Sequence, residues 1–301
     1  MPVEDFIIIV YCCVVDNYAA LVSSPLRSRG FETKLSDAEV ITMEIVGEFM
    51  GKDQDKSLWR YFRNHWHDWF PTLGSRANFV KQSANLWLLK ERIMKRLARQ
   101  MGSYNDSIHI IDGFPMPVCQ ITRAAKSRCF RGEAGYSYCA AKDDKYYGFE
   151  GHIIIDSRGV ICGCTFANAS IDERDVVQDM TADIKGLLIG DKGYIRPLLR
   201  EELQWQAIDL QTPLRKNMTD SRDKTWVKQL MSARRLVETV IGQLSERFHI
   251  EKMRARDLWH AQNRFIRKLL AHTVGVFLNY CLGQELLQFE AGQSRLKPLE
   301  S

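Results

Sequence analysis

Three acidic residues stand where side chains of this kind could do chemistry. Asp112 follows the apolar run Ile110-Ile111. Asp191 follows Leu188-Ile189-Gly190. Glu238 lies inside a helical stretch from Leu230 to Phe248. In an open α/β sheet, functional groups gather at strand ends and the loops beside them. If the two apolar runs are neighbouring strands, the two aspartates converge, and the helix can carry Glu238 to the same point. Carboxylates so placed repel one another. Divalent metal between them relieves that repulsion. Magnesium uses few protein carboxylates and leaves positions open for phosphate oxygens. Two such ions, about 3.5–4 Å apart, would hold the attacking and leaving oxygens of a phosphodiester displacement.

Each acid also has a plainer reading. Taken singly, Asp112-Gly113 and Gly190-Asp191-Lys192-Gly193 read more readily as turns. Glu238 can pair with Arg234 or Arg235 on the preceding turn, a contact worth only about 0.2–0.5 kcal/mol. Gly242, one turn beyond Glu238, points the other way. Glycine inside a helix costs about 1 kcal/mol relative to alanine, so something has to approach the backbone there. Phosphate, metal and a close helix–sheet contact would each account for it.

Basic residues flank the acids. Arg123, Lys126, Arg128 and Arg131 form one group, and Arg215, Lys216, Arg222 and Lys224 a second. From Arg234 to Lys268 nine Lys or Arg face four acids; Arg234, Arg235, Arg254 and Arg256 are among them. With Lys192 beside Asp191, these clusters read as a track for a phosphate backbone. Aromatic and basic residues also interleave from Trp59 to Trp66. That composition suits a nucleic-acid surface or a core edge, and the core edge is the preferred reading.

The rest of the chain has to position these groups. It has 301 residues, 45% hydrophobic and 26% charged, with a formal net charge of +5. That composition excludes a disordered chain, a collagen-like repeat and a disulfide-stapled miniature. The eight cysteines include no C-x-x-C pair, so a zinc ribbon is not indicated. Cys162 and Cys164 share one strand face and read as core residues. The apolar run Phe6 to Val15 is too short to span a bilayer and is preceded by acid rather than base. It reads as a buried helix in a cytoplasmic protein.

Ser36-Asp37-Ala38-Glu39 is a capping box before the amphipathic stretch Val40 to Met50. A second helix is expected from about Asn78 to Gln100, and 101–105 reads as a linker. Strands are then expected at Ile108–Ile111, Tyr146–Asp156, Val160–Phe166, Leu187–Ile189 and Ala207–Gln211. Helices are expected from Asp172 to about Ile184, Pro197 to Leu203, Leu230 to Phe248 and Ile266 to Leu287. The pattern is an α/β fold with a mixed sheet flanked by helices. It divides into a helical region, 1–102, and a catalytic region, 103–301, whose C-terminal helices are expected on the sheet.

These residues resemble the DDE transposases of bacterial insertion sequences. The matching segments are Ile110-Ile111-Asp112-Gly113-Phe114-Pro115, Tyr147-Gly148-Phe149-Glu150-Gly151-His152, Gly190-Asp191-Lys192-Gly193-Tyr194 and Arg234-Arg235-Leu236-Val237-Glu238-Thr239-Val240. Leu35-Ser36-Asp37-Ala38-Glu39-Val40 is similar to the family's N-terminal segment. The resemblance implies a ribonuclease-H-like core and a catalytic triad of Asp112, Asp191 and Glu238 binding two Mg2+ ions, with Mn2+ as a substitute. It implies cleavage at transposon ends, followed by attack of the freed 3′-hydroxyl on target DNA. The partners implied are terminal inverted repeats and target DNA, engaged by a homodimer in the synaptic complex, with the helical region 1–102 recognising end DNA. No membrane is involved, and the setting is the bacterial cytoplasm and nucleoid.

Glu150 departs from similar transposases, which tend to carry a basic residue ahead of the histidine. His152 reads as a packing or hydrogen-bonding residue. Asp172 matches an aspartate frequent in such transposases, although an N-cap role is the simpler account. The rival readings are another metal-dependent DNA endonuclease on the same fold, or a domesticated non-catalytic DNA-binding protein. Clustered carboxylates beside phosphate speak against the second.

Overall fold

The structure, a computed structural model, describes residues 1–27, 33–139 and 143–289. The last part of the expected catalytic region, 290–301, lies outside them. The chain forms two compact units. It begins with five helices: α1 (Val3–Leu21), α2 (Asp37–Phe49), α3 (Asp55–His65), α4 (Arg76–Asn85) and α5 (Trp87–Gln100). The apolar stripe of α1 buries Phe6, Val10 and Val14, at helical spacing. The capping box of α2 forms as its sequence requires: the Ser36 hydroxyl accepts from the Glu39 amide at 3.2 Å, and the Ser36 amide donates to Glu39 at 2.7 Å. The single helix expected from Asn78 to Gln100 is two, separated at Leu86.

The aromatic segment divides by face. Leu58, Phe62 and Trp66 are buried, while Arg60, Arg63 and His65 are exposed. Among the described residues no helix is long and apolar enough to cross a membrane.

The second unit runs from Ala98 to Ser245, with Glu251–Met253 added. Its elements are β1 (Ile108–Cys119), α6 (Ile121–Ala124), β2 (Gly135–Cys139), β3 (Asp144–Asp156), β4 (Ile161–Asn168), α7 (Glu173–Val176), α8 (Gln178–Thr181), β5 (Gly186–Ile189), α9 (Pro197–Trp205), β6 (Ile208–Gln211) and α10 (Lys224–Glu246). The sheet order is β2-β3-β1-β5-β6, and β4 also pairs with β3. The pairings of β3 with β1, β2 and β4 are antiparallel; those of β5 with β1 and β6 are parallel. Ile111, Ile154, Cys162, Leu188, Tyr194 and Leu203 lie in one core cluster on a sheet face.

Three expectations change here. β1 does not end at Asp112 but runs on to Cys119. Pro115 and Pro117 are tolerated because β5 has stopped by then, leaving β1 partnered on one side only. β2 carries no apolar alternation to announce it, since Tyr136 and Tyr138 are both exposed. The helix expected from Asp172 to Ile184 is two single turns.

The last helix, α11 (Leu258–Cys281), is capped by Asp257, which accepts from the His260 amide at 2.9 Å. It starts eight residues before the expected Ile266. It also packs on α2 and α4 in the helical unit rather than on the sheet. Its basic residues explain the difference. Arg267 and Lys268 are buried and converge on Glu48, at 2.7 and 2.9 Å. Arg267 also reaches Asp55 at 2.8 Å, Arg264 reaches Asp55 at 2.5 Å, and Lys90 pairs with Glu44. Three cations that read as a DNA-facing track are the paired interior of a helical bundle.

Candidate active site

The parallel register of β1 and β5 brings two of the acids together. Their last pair is Ile110 with Ile189. Asp112 and Asp191 each stand two residues beyond it. After Ile189 the chain leaves the sheet. Asp191 accepts from the Gly193 amide at 2.6 Å and opens a single 3-10 turn, Lys192–Tyr194. Gly190 is required there, because a Cβ would sit 2.9 Å from the Tyr194 ring.

Asp112 accepts from the Gly113 amide at 3.0 Å, and Arg234 of α10 lies 3.5 Å from its other oxygen. Val237, Val240 and Leu244 bury one stripe of α10. Arg234 and Glu238 are one turn apart on that helix, so they share a face. Glu238 is exposed and makes no ion pair among the described residues. The pairing with Arg234 or Arg235 that offered its plainer explanation does not form. Burial pushes the Asp112 carboxyl up to about 6, with Asp191 and Glu238 adding to the rise and Arg234 opposing it. Asp112 therefore feels the charge of both other acids. A Cβ added at Gly242 would meet nothing within 4 Å, so close packing does not explain that glycine.

Two further acids lie close by: Glu150 stands on the other face of β1, and the Glu173 and Asp191 carboxylates both lie beside Gly193. Residues directly opposite in an antiparallel pair share a face. Gly113 opposes His152 and Pro115 opposes Glu150, whereas Asp112 opposes Ile153. Burial lifts Glu150 to about 7, with Asp112 and Asp191 contributing. Burial lifts Glu173 to about 8, helped by Glu150, Asp191 and Asp112. Glu173 escaped the sequence reading, having no motif to mark it; Glu150 stood out only as a departure from the family pattern.

His152 is buried, and burial holds its imidazole down at about 4. Its Nδ1 lies 3.4 Å from the Tyr194 hydroxyl. Asp172 caps α7 by accepting from the Arg174 amide, and its ion-paired hydrogen bond with Arg174 holds the carboxyl down at about 2.

The basic candidates divide between the units. Arg123, Lys126, Arg128, Lys192, Arg215, Lys216 and Arg235 are exposed in the sheet unit, and Arg234 is partly buried there. Arg254 and Arg256 are exposed in the helical unit.

Among the described residues, no three His, Cys, Asp or Glu side chains are closed around a single point as metal ligands. The donor chemistry of Asp112, Asp191 and Glu238 nonetheless fits a hard divalent cation: all three offer carboxylate oxygen, and a positive charge would relieve the repulsion that Asp112 feels from the other two.

A family model described as a transposase DDE domain matches residues 102–258. Neither a curated protein nor a solved structure gives a significant match. The match covers more than half of the chain and includes Asp112, Asp191 and Glu238; the protein belongs to the DDE-domain transposases.

Proposed function

We propose that this transposase cleaves phosphodiester bonds at the ends of its element and transfers the freed 3′-hydroxyl to target DNA, using Asp112, Asp191 and Glu238. The observation that carries the reading is geometric: the parallel register sets Asp112 and Asp191 side by side, and Arg234, one turn from Glu238 on α10, reaches Asp112 at 3.5 Å. The sheet order, with β1 between antiparallel β3 and parallel β5, supports a ribonuclease-H-like core.

Each residue has a part. Asp112 and Asp191 stand two residues beyond the last β1–β5 pair, where β1 no longer has β5 beside it and that edge is open to a scissile phosphate. Glu238 closes the site from α10. Two Mg2+ ions held by these acids would supply charge stabilisation to the attacking and leaving oxygens. Arg234 offsets the charge of Asp112 and offers a donor to phosphate. Lys192, Arg123, Lys126, Arg128, Arg215, Lys216 and Arg235 contribute positive potential for the DNA backbone. End recognition falls to the helical unit, and synapsis of two ends to a homodimer, in the bacterial cytoplasm.

The test is incubation of the protein with labelled DNA carrying the boundaries of its own element, with Mg2+ and with EDTA. A metal-dependent nick at the boundary, followed by joining to a target plasmid, is the expected outcome. Nicking without joining would favour a nuclease on the same fold.

A further inference from the structure

The turn that carries Asp191 is held from inside and from outside. Inside, Tyr194 is buried in the core cluster on the sheet. Outside, α7 packs against the turn and is tied to it by two arginines. Arg174 of α7 donates to the Ile195 carbonyl at 3.3 Å. Arg196, just past the turn, reaches back to Asp175 at 2.5 Å and lies 3.8 Å from Asp172. Arg174 also donates to Asp172 at 2.6 Å, so two guanidiniums bracket that carboxylate. The sequence dictates the course of the chain at Arg196. It precedes Pro197, and a residue before proline is kept out of the helical region. Its φ of −150° and ψ of 118° are extended, so α9 starts only after it.

Stability does not account for this clasp. The side chains of Asp172, Arg174, Asp175 and Arg196 are between 28% and 54% exposed. Ion pairs so exposed contribute about 0–1 kcal/mol each. The clasp also works against charge. A Cβ added at Gly193 would meet Asp191 Oδ1 at 2.8 Å and Glu173 Oε2 at 2.9 Å, so the two carboxylates flank one point. Like charges so placed repel one another. Glu173 lies between Asp172 and Arg174 in the chain, and the bonds of its neighbours keep it beside Asp191.

We propose that Arg174 and Arg196 are positioning residues of the active site: through Asp172, Asp175 and the Ile195 carbonyl they clasp α7 to the Asp191 turn and fix where the Asp191 carboxylate stands. The catalytic part of Asp191 rests on the transposase reading; the clasp does not. Both arginines act through the backbone of the turn and not on the reacting atoms. Partners of this outer kind tune metal affinity by orienting the ligand itself.

The experiment compares the full chain with Arg196→Gln, Arg196→Lys, Asp175→Asn and Arg200→Gln. Arg200 pairs with Asp209 at 3.8 Å outside the clasp, and serves as the control. Hydrogen exchange at the Gly193 amide in EDTA reports the turn directly, because that amide donates to Asp191. Arg196→Gln should speed it by roughly two- to fivefold, the loss of an exposed ion pair, with the amides of β1 and β5 unchanged. Titration with Mn2+ should show affinity lowered by about tenfold. Arg196→Lys keeps the charge without the fork and should restore part of both. Should Arg196→Gln not fold, Asp175→Asn removes the same pair from an exposed position and should act alike. Arg200→Gln should match the parent. Parental exchange and Mn2+ affinity in the clasp variants overturn the proposal. So does faster exchange spread across the whole sheet, which marks a contact that only stabilises the fold. A parent that neither binds Mn2+ nor cleaves element-end DNA removes the catalytic reading, and exchange at Gly193 then still decides whether the clasp holds the turn.

Discussion

The guanidinium of Arg234 lies 3.5 Å from the carboxylate of Asp112, although the two residues are 122 positions apart in the chain. One turn further along the same helix stands Glu238, which acts on Asp112 with the opposite sign. α10 thus presents one cation and one anion to the same carboxylate. Of the two, the cation makes the contact.

Arg234→Gln removes that opposing charge. The Asp112 carboxyl should then rise further, by about 1 unit. Mn2+ binding requires the deprotonated acid, so its midpoint should move to higher pH by a similar amount. Isothermal titration with Mn2+ at several pH values measures this. An unmoved midpoint would show that Arg234 does not govern the carboxyl.

The raised acids also set how stability depends on pH. Asp112 at about 6, Glu150 at about 7 and Glu173 at about 8 all lie above their ordinary values of 3.8 and 4.5. Each binds its proton more tightly in the folded chain than in the unfolded one. The resulting stability is complete below the ordinary values and is lost as pH rises through the folded ones. In EDTA, the melting temperature should fall between about pH 6.5 and pH 8, by on the order of a few degrees; below that window the buried His152 and His272, held down at about 4 and about 3, act with the opposite sign. Glu173→Gln should flatten the upper part of that fall. A melting temperature that rises over this window would contradict the burial of these groups.

Gly242→Ala tests the open space beside Glu238. The added methyl meets nothing. Unfolding of the free protein should become harder by about 1 kcal/mol, the ordinary helix gain. If phosphate or metal approaches that backbone, DNA cleavage should drop despite the gain in stability. Equal cleavage would leave Gly242 without a functional role.

Glu48→Ala should be the most damaging change in the helical unit. It leaves Arg267 and Lys268 buried beside a missing partner. Removing one member of a buried ion pair costs about 3–5 kcal/mol. Denaturant unfolding measures the loss; a change under about 1 kcal/mol would mean that water reaches these cations.

The sequence was informative where period and chemistry agree. Ile110-Ile111-Asp112 and Leu188-Ile189-Gly190-Asp191 marked two strands; that they are neighbours stood only as a condition in the sequence, and the parallel Ile110–Ile189 pair meets it. Ser36 and Glu39 foretold the start of α2 because a capping box is a local interaction. Arg264, Arg267 and Lys268 misled because their partners, Glu48 and Asp55, lie more than two hundred positions away. A charge count along the chain cannot distinguish a solvated cation from one neutralised in a core. Glu173 was unmarked, and Glu150 marked only as a departure from the family pattern, for a related reason: what raises them is burial and a shared field, which only the folded sheet creates.

The central claim is that Glu238 completes the catalytic acids, and Glu238→Gln tests it most directly. The substitution preserves size, and the buried stripe of Val237, Val240 and Leu244 is untouched. A neutral amide is a poor ligand for a hard cation. Cleavage of labelled element-end DNA in Mg2+ should fall by more than about a hundredfold. Binding of the same DNA in Ca2+ should be retained or slightly strengthened, since one repulsive carboxylate is gone. Cleavage near the parental rate, with binding intact, would remove Glu238 from the site and contradict the account.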